Sequence, residues 1–479
     1  MRLGVAAEVL AVGVSVLLAG CASSWEPAAS GRPVSAQAAA PIDLAADQVD
    51  DALPKLTDQS GLADYLTYAG LNNPGLEAAF HRWKAALERV PQVRALPDPR
   101  FTYRYFISEV ETRVGAQRQA FALAQTFPWL GKLELRGHAA LEAAEAERQR
   151  YQAGKLRLFY RVKDAYYEYY HLSRAIAIVR QNIRLLRNVE QVMRTRYKAG
   201  AARHPDVVRL QVELGKLDDR LRALVGLREP MVARLNAAMN RPSAAPLPWP
   251  KGIADQQVSV TDQELLVWME QANPEVRALD YEIGRAKHKV ELAKKAYFPD
   301  VTVGVDYVDV ADPTGGMRPG DAGKDAVAVM ASVNLPIWWD KLSAGVREAR
   351  HRHLAAIHEK TETVNQLSAR LKLTAYRFRD ADRRIGLYRD TLLPKATESL
   401  KTTNAAFRAG RASYTDLIDA ERILLAFALA YERALADKAQ RLAELEMLAG
   451  KEITARGSAT TRPAVPKDRQ PQDSKEKGG

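Results

Sequence analysis

Two aspartates, Asp416 and Asp419, follow Gly410 at a spacing of three, which directs both carboxylates to similar sides of the first turns of a helix. Carboxylates placed this way can cap the helix, attract cations, or serve as an acid and base pair. Ser413-Tyr-Thr-Asp416 has the form of a capping box, and an acidic residue there favours the helix dipole. Capping and cation attraction both stay open for Asp416. Asp419 lies one turn deeper and is less explained by capping. Acid–base catalysis would need a pocket around the pair, which a three-residue spacing at a helical turn does not provide.

Other reactive side chains point to packing or anchoring. His351 and His358 fall two turns apart while His353 lies elsewhere on the helix, so no metal set is expected from them. Tyr166, Tyr167, Tyr169 and Tyr170 have helical neighbours four apart and a counterpart at Tyr376, a pattern that fits packing at a waist. Cys21 is the only cysteine, which excludes an internal disulfide and a cysteine-based metal cluster. Arg2, the apolar stretch Leu3 to Leu18 and Leu18-Ala19-Gly20-Cys21 together resemble a bacterial lipoprotein signal, with Glu8 as a blemish, so Cys21 is expected to be acylated. No Gly-x-Ser-x-Gly elbow, phosphate-binding glycine loop or His-Glu-x-x-His helix occurs, and neither an enzyme nor a cofactor is expected.

The elements that must carry these residues come in two sets. Asn73-Pro74 returns as Asn273-Pro274, Pro97-Asp98 as Pro299-Asp300, and Thr-Phe-Pro-Trp-Leu-Gly-Lys-Leu133 as Asn-Leu-Pro-Ile-Trp-Trp-Asp-Lys-Leu342. The order is kept throughout, which makes an internally duplicated architecture the first hypothesis. Each half reads as a helix from Asn-Pro, an antiparallel hairpin of alternating residues, a very long helix, a glycine turn at Gly200 or Gly410, and a returning helix. At 1.5 Å per residue the first long helix spans on the order of 100 Å, too long for a globular domain. Pro394 should bend or break its counterpart.

The expected organisation is a signal peptide over 1–20, a linker over 21–55 and a first repeat over 56–242. That repeat holds a hairpin at 100–128, a long helix at 131–199 and a return helix at 205–240. A proline-rich linker over 243–262 leads to a second repeat over 263–452, with a hairpin at 300–336, a long helix at 340–409 and a return helix at 414–450, and then a disordered tail over 453–479.

The net charge of +12 is spread over helix faces mixed with Glu and Asp, which describes a solvated coiled-coil surface and excludes a nucleic-acid patch. The strands have a length that suits a bilayer, and Phe127, Trp129, Trp338 and Trp339 cluster where they should end, either as an interfacial belt or as core at the strand-to-helix junction. Two hairpins give four strands, too few to close alone in lipid.

These residues resemble the TolC-like outer membrane efflux family from about residue 60 to 452. The resemblance rests on the Asn-Pro helix starts, the Pro-Asp strand entries, Gln125-Thr-Phe-Pro-Trp-Leu-Gly-Lys132, and the paired turns Tyr197 to Asp206 and Phe407 to Asp419. It implies a mainly α fold with membrane β: a homotrimer with a 12-stranded β-barrel, four strands per chain, above a long α-helical coiled-coil barrel. It also implies a lipid-anchored outer membrane exit duct of a tripartite system, passive, working with a periplasmic adaptor and an inner-membrane resistance-nodulation-division pump, heavy-metal exporters included. Asp416 and Asp419 match aspartates that constrict the periplasmic entrance, and Asp206, Phe407 and Tyr197 match closed-state gate positions, with Ala412 where a tethering arginine is expected and Arg411 beside it. The alternatives are a periplasmic adaptor lipoprotein, which should show one helical hairpin with compact β domains, and a type I secretion exit duct.

Overall fold

The computed structural model describes residues 53–253, 258–313 and 320–453. The leader, Cys21, the tail and most of the glycine-rich loop after Asp312 lie outside the described residues.

The chain begins with α1 (Leu62–Asn72) and α2 (Pro74–Arg94), joined at Asn73. Asn73 caps α2 by accepting from the Leu76 N–H, while its amide donates to the carbonyl of Ala238. Proline at the next position supplies the helical φ without wasting a donor. After α2 come β1 (Arg100–Thr112) and β2 (Gly115–Phe127), followed by α3 (Lys132–Lys198), a single helix of 67 residues. Gly131 enters α3 and Gly200 leaves it, both with positive φ, the conformation glycine tolerates best.

The return is not one helix. It divides into α4 (His204–Gly226) and α5 (Arg228–Ala238). Pro230 causes the break, since it cannot donate to the carbonyl of Gly226 and its ring crowds the preceding turn.

The later elements are α6 (Asp262–Ala272), α7 (Pro274–Lys295), β3 (Val301–Val310), β4 (Ala326–Val333) and α8 (Trp339–Leu387). A π-helical turn, Tyr388–Leu392, joins α8 to α9 (Leu393–Arg408). Pro394 removes the N–H that the Asp390 carbonyl would accept, and the wider turn just before it absorbs the mismatch without ending the helix. The last helix, α10 (Tyr414–Ala449), ends at Gly450 with φ 77°. Asn273 repeats the role of Asn73: its oxygen caps Glu275 and its amide donates to the Leu448 carbonyl, so the start of α7 is spliced onto the end of α10.

The four strands form one antiparallel sheet in the order β1-β2-β3-β4. Three apolar clusters hold the helices. One packs α1 and α5 on α3 around Tyr65, Tyr166 and Tyr169, a second packs α6 on α8 and α10, and a third joins α3, α4 and α10 toward the glycine turns. The tyrosine run is packing in α3, where Tyr166, Tyr169 and Tyr170 are buried. Tyr376 departs from that expectation, because it is 65% exposed in a single chain.

Candidate functional site

The sheet has two chemically different faces. Residues directly opposite in antiparallel strands share a face, and register places Phe101 and Tyr103 beside Leu123 and Phe121, these beside Val305 and Tyr307, and those beside Val329 and Val327. Phe121 sits 5.2 Å from Tyr103 and 6.3 Å from Tyr307, centroid to centroid. The opposite face carries Ala120, Ala122, Ala124, Gly304, Asp306 and Ala328. One side is broad and greasy, the other small or polar apart from Val308 and Met330.

Both outer strands are open. β4 is exposed along its whole length and β1 nearly so, with Ile107 at 96% and Val329 at 76% exposure. A large apolar face bounded by two unpaired edges is unsuited to water and, left open, equally unsuited to lipid. Trp338 and Trp339 are exposed below it, whereas Trp129 stacks on Phe298 at 5.3 Å, so the aromatics at the strand ends divide between surface and packing.

The base of the sheet is pinned by two of the repeated motifs. Lys132 is buried and its Nζ lies 2.7 Å from Asp300 Oδ1 and 2.8 Å from the Phe298 carbonyl. The Trp129 N–H donates to the same carboxylate oxygen at 2.8 Å. Burial works against ionisation of Asp300, but the Lys132 ammonium and this N–H outweigh it and hold the carboxyl below the usual range. The sequence reading noted Lys132 and Asp300 separately and missed that they meet.

At the other end, the helical tip brings the two glycine turns together. Arg196, in the last turn of α3, donates to the Phe407 and Arg408 carbonyls at 3.0 and 2.7 Å, and its guanidinium lies 4.8 Å over the Phe407 ring. The cation meets the negative end of α9, where the last carbonyls lack helical partners. Phe407 is buried in the apolar cluster at the tip, and Tyr197 is exposed, 5.5 Å from the His204 ring. Asp206 is buried and pairs within its own hairpin, 3.1 Å from Arg203.

Asp416 accepts from the hydroxyl and backbone N–H of Ser413, completing a reciprocal capping box. Those donors lower its pKa. Asp419 is exposed and 3.3 Å from Arg422, which also binds Glu213 of α4. Arg196, Arg422 and Glu213 were not singled out from the sequence; a basic residue one turn before Gly200 is the signal that could have flagged the first. Among the described residues no group of three or more His, Cys, Asp or Glu could hold a metal ion, and His351 and His358 are exposed.

Above the tip, Glu421 is buried in α10 and accepts from Asn182 of α3 at 3.0 Å. Burial raises its pKa, with Asn182 opposing. A carboxyl raised on folding stabilises fully below its unfolded value, near 4.3, and loses that contribution as pH rises through the folded value. Denaturation midpoints of wild type should therefore fall over this range while Glu421→Gln flattens the fall. Identical pH profiles would remove Glu421 as the cause.

Among the described residues no helix is long and apolar enough to cross a membrane. An open sheet with one lipid-suited face, set on helices far longer than a globular core requires, defines a channel-type membrane protein of the outer-membrane kind. The family model described as "Outer membrane efflux protein" matches residues 66–241 and 265–451, and the chain belongs to that family, a family of transport proteins. No curated protein matches at the level of sequence.

Solved structures share the fold. The outer membrane protein VceC of Vibrio cholerae is 18% identical with a TM-score of 0.68, covering 82% of this chain and 96% of that one. The open state of the MtrE outer membrane channel of Neisseria gonorrhoeae is 18% identical at 0.67, covering 82% and 89%. The CmeC outer membrane channel of Campylobacter jejuni is 13% identical at 0.67, covering 83% and 88%.

Proposed function

We propose that this protein is the outer membrane exit duct of a tripartite efflux system, built from two repeats per chain and assembled as a homotrimer whose twelve strands close one barrel. The observation that carries the reading is the four-stranded sheet with one aromatic and aliphatic face and two exposed edges. Lipid offers no hydrogen-bond partner to an open edge, so the strands must be completed by further copies. The small and polar face then lines the conduit, and acylation of Cys21 tethers each subunit to the membrane. The helical tip is the end that faces a periplasmic adaptor and, through it, an inner-membrane pump of the resistance-nodulation-division type.

At the tip, threefold symmetry turns exposed Asp419 into a ring of carboxylates that draws cations. Asp416 serves first as a cap and adds charge to the same entrance. Asp206, Phe407, Tyr197, Gly200 and Gly410 shape the turns that must move for it to open.

The test is conductance of the purified, folded oligomer in planar bilayers. Discrete open channels are expected, with block by millimolar divalent cations weakened about three- to tenfold in Asp419→Ala, the scale of one lost charge-assisted contact. Silent bilayers from folded oligomers would end the channel reading, and unchanged block would take Asp419 out of the gate.

A further inference from the structure

We propose that Lys341 of one copy pairs with Asp98 of the partner subunit, reproducing between chains the Lys132–Asp300 contact found within one. The inference rests on the trimeric reading above and assigns the residues that set its register.

Inside the chain, the seam between the two halves has three parts: β2 pairs with β3, α3 packs on α7, and Lys132 with Trp129 grips the Phe298-Pro-Asp300 corner. The chain holds a second copy of each partner, left unused. Pro97-Asp98 precedes β1 as Pro299-Asp300 precedes β3, and Lys341 lies in the first turn of α8 as Lys132 does in α3. Asp98 and Lys341 are both exposed, and neither has an ion-pair partner among the described residues.

The helical phase agrees. Buried Val162, Tyr169 and Ile176 in α3 correspond to buried Leu371, Phe378 and Ile385 in α8 at the same interval that separates Lys132 from Lys341, one residue off the Ala-Tyr sequence match. Lys341 therefore points from α8 in the direction in which Lys132 points from α3. A helix face fixed along its length fixes the direction of its first residues too.

Apolar surface falls where the same packing would bury it. Leu96 stands before Pro97 as Phe298 stands before Pro299, and it is 47% exposed. Ile337 and Trp338, beside the place of Trp129, are 58% and 71% exposed. Within the chain, the Phe298 and Trp129 counterparts stack. Exposed β4 and exposed β1 complete the match, since antiparallel pairing of β4 with the partner's β1 would continue the order in which β2 meets β3. Opposite charge, matching apolar surface and two open edges select a second copy of this chain as the occupant.

Charge reversal tests the pair. Asp98→Lys and Lys341→Asp should each lower trimer recovery in detergent, read by native mass spectrometry, by about tenfold, and the double reversal should restore it to within about threefold, as expected for a coupled pair at an interface. Because Cys21 is the only native cysteine, Asp98→Cys with Lys341→Cys in a Cys21→Ser background should be joined into covalent trimers by a short bis-maleimide, whose arm replaces the length of the lysine. If wild type forms trimers but the cysteine variant does not cross-link and neither charge reversal changes trimer recovery, the pair is overturned and the trimer stands. A wild-type protein that is folded, monomeric and non-conducting would overturn the pair together with the reading beneath it.

Discussion

Tyr169→Ala is expected to cost about 3–5 kcal/mol of stability, the range for deleting a fully buried aromatic side chain. Tyr169 is 0% exposed in α3, and its ring stacks on Trp249 at 4.5 Å. Its hydroxyl donates to the Leu247 carbonyl at 3.2 Å and accepts from Arg228 Nε at 3.4 Å, while the Arg228 guanidinium lies 4.6 Å over the Trp249 ring. One side chain thus fastens the proline-rich crossing to the long helix at the place where α4 gives way to α5. Its removal leaves a cavity, an unanswered carbonyl and an indole with one face bare. Tyr169→Phe keeps the stack and should cost only about 0.5–1.5 kcal/mol, the net worth of a hydrogen bond. Denaturation midpoints of the two variants in the same detergent decide the matter. Equal losses would show that the hydroxyl, not the packing, holds the crossing.

What the sequence makes legible here follows from how local the controlling physics is. The proline-free run between Gly131 and Gly200 reads as one helix because nothing in it stops propagation, and α3 occupies it from Lys132 to Lys198. Alternation marks the strands because neighbouring positions must serve opposite faces, as Phe121 and Ala122 do. Pro394 announces a disturbance, although its form, a π turn upstream, depends on how α8 and α9 pack on α10. Pro230 is equally visible in the sequence, yet the periodic apolar residues on both sides of it conceal the break between α4 and α5.

The site divides along the same line. The Asp416 cap is legible because its partner, Ser413, is three residues away, and so is the Arg203–Asp206 pair in retrospect. Arg196 with Phe407, Arg422 with Glu213, and Asn182 with Glu421 join residues far apart in sequence. Such contacts are set by how one helix rolls against another, which no single-helix pattern records. The Asn-Pro motif stands between the cases: Pro74 and Pro274 signal helix starts, while the grip of Asn73 and Asn273 on the ends of α5 and α10 appears only when the helices are stacked.

Lys132→Met is expected to cost about 2–3 kcal/mol, below the 3–5 kcal/mol for breaking a fully buried ion pair because Asp300 keeps 29% of its side chain exposed. The position makes the case sharp. A buried cation at the first residue of a helix is repelled by the positive end of the dipole and loses its hydration, so Lys132 is stable there only through Asp300 and the Phe298 carbonyl. Methionine fills the volume and relieves the dipole conflict, so the loss comes from an uncompensated Asp300 and from the Phe298 carbonyl left without its donor. The pH dependence carries the diagnostic sign. A carboxyl depressed on folding stabilises above its unfolded pKa and loses that contribution as pH falls through the folded value. Wild type should therefore lose stability in acid through Asp300, whereas Lys132→Met, with the depression relieved, should show a shallower acid limb on a lower neutral plateau. If the two acid limbs superimpose, Asp300 is held down by the Trp129 N–H alone and the lysine has no part in pinning the sheet to the helices.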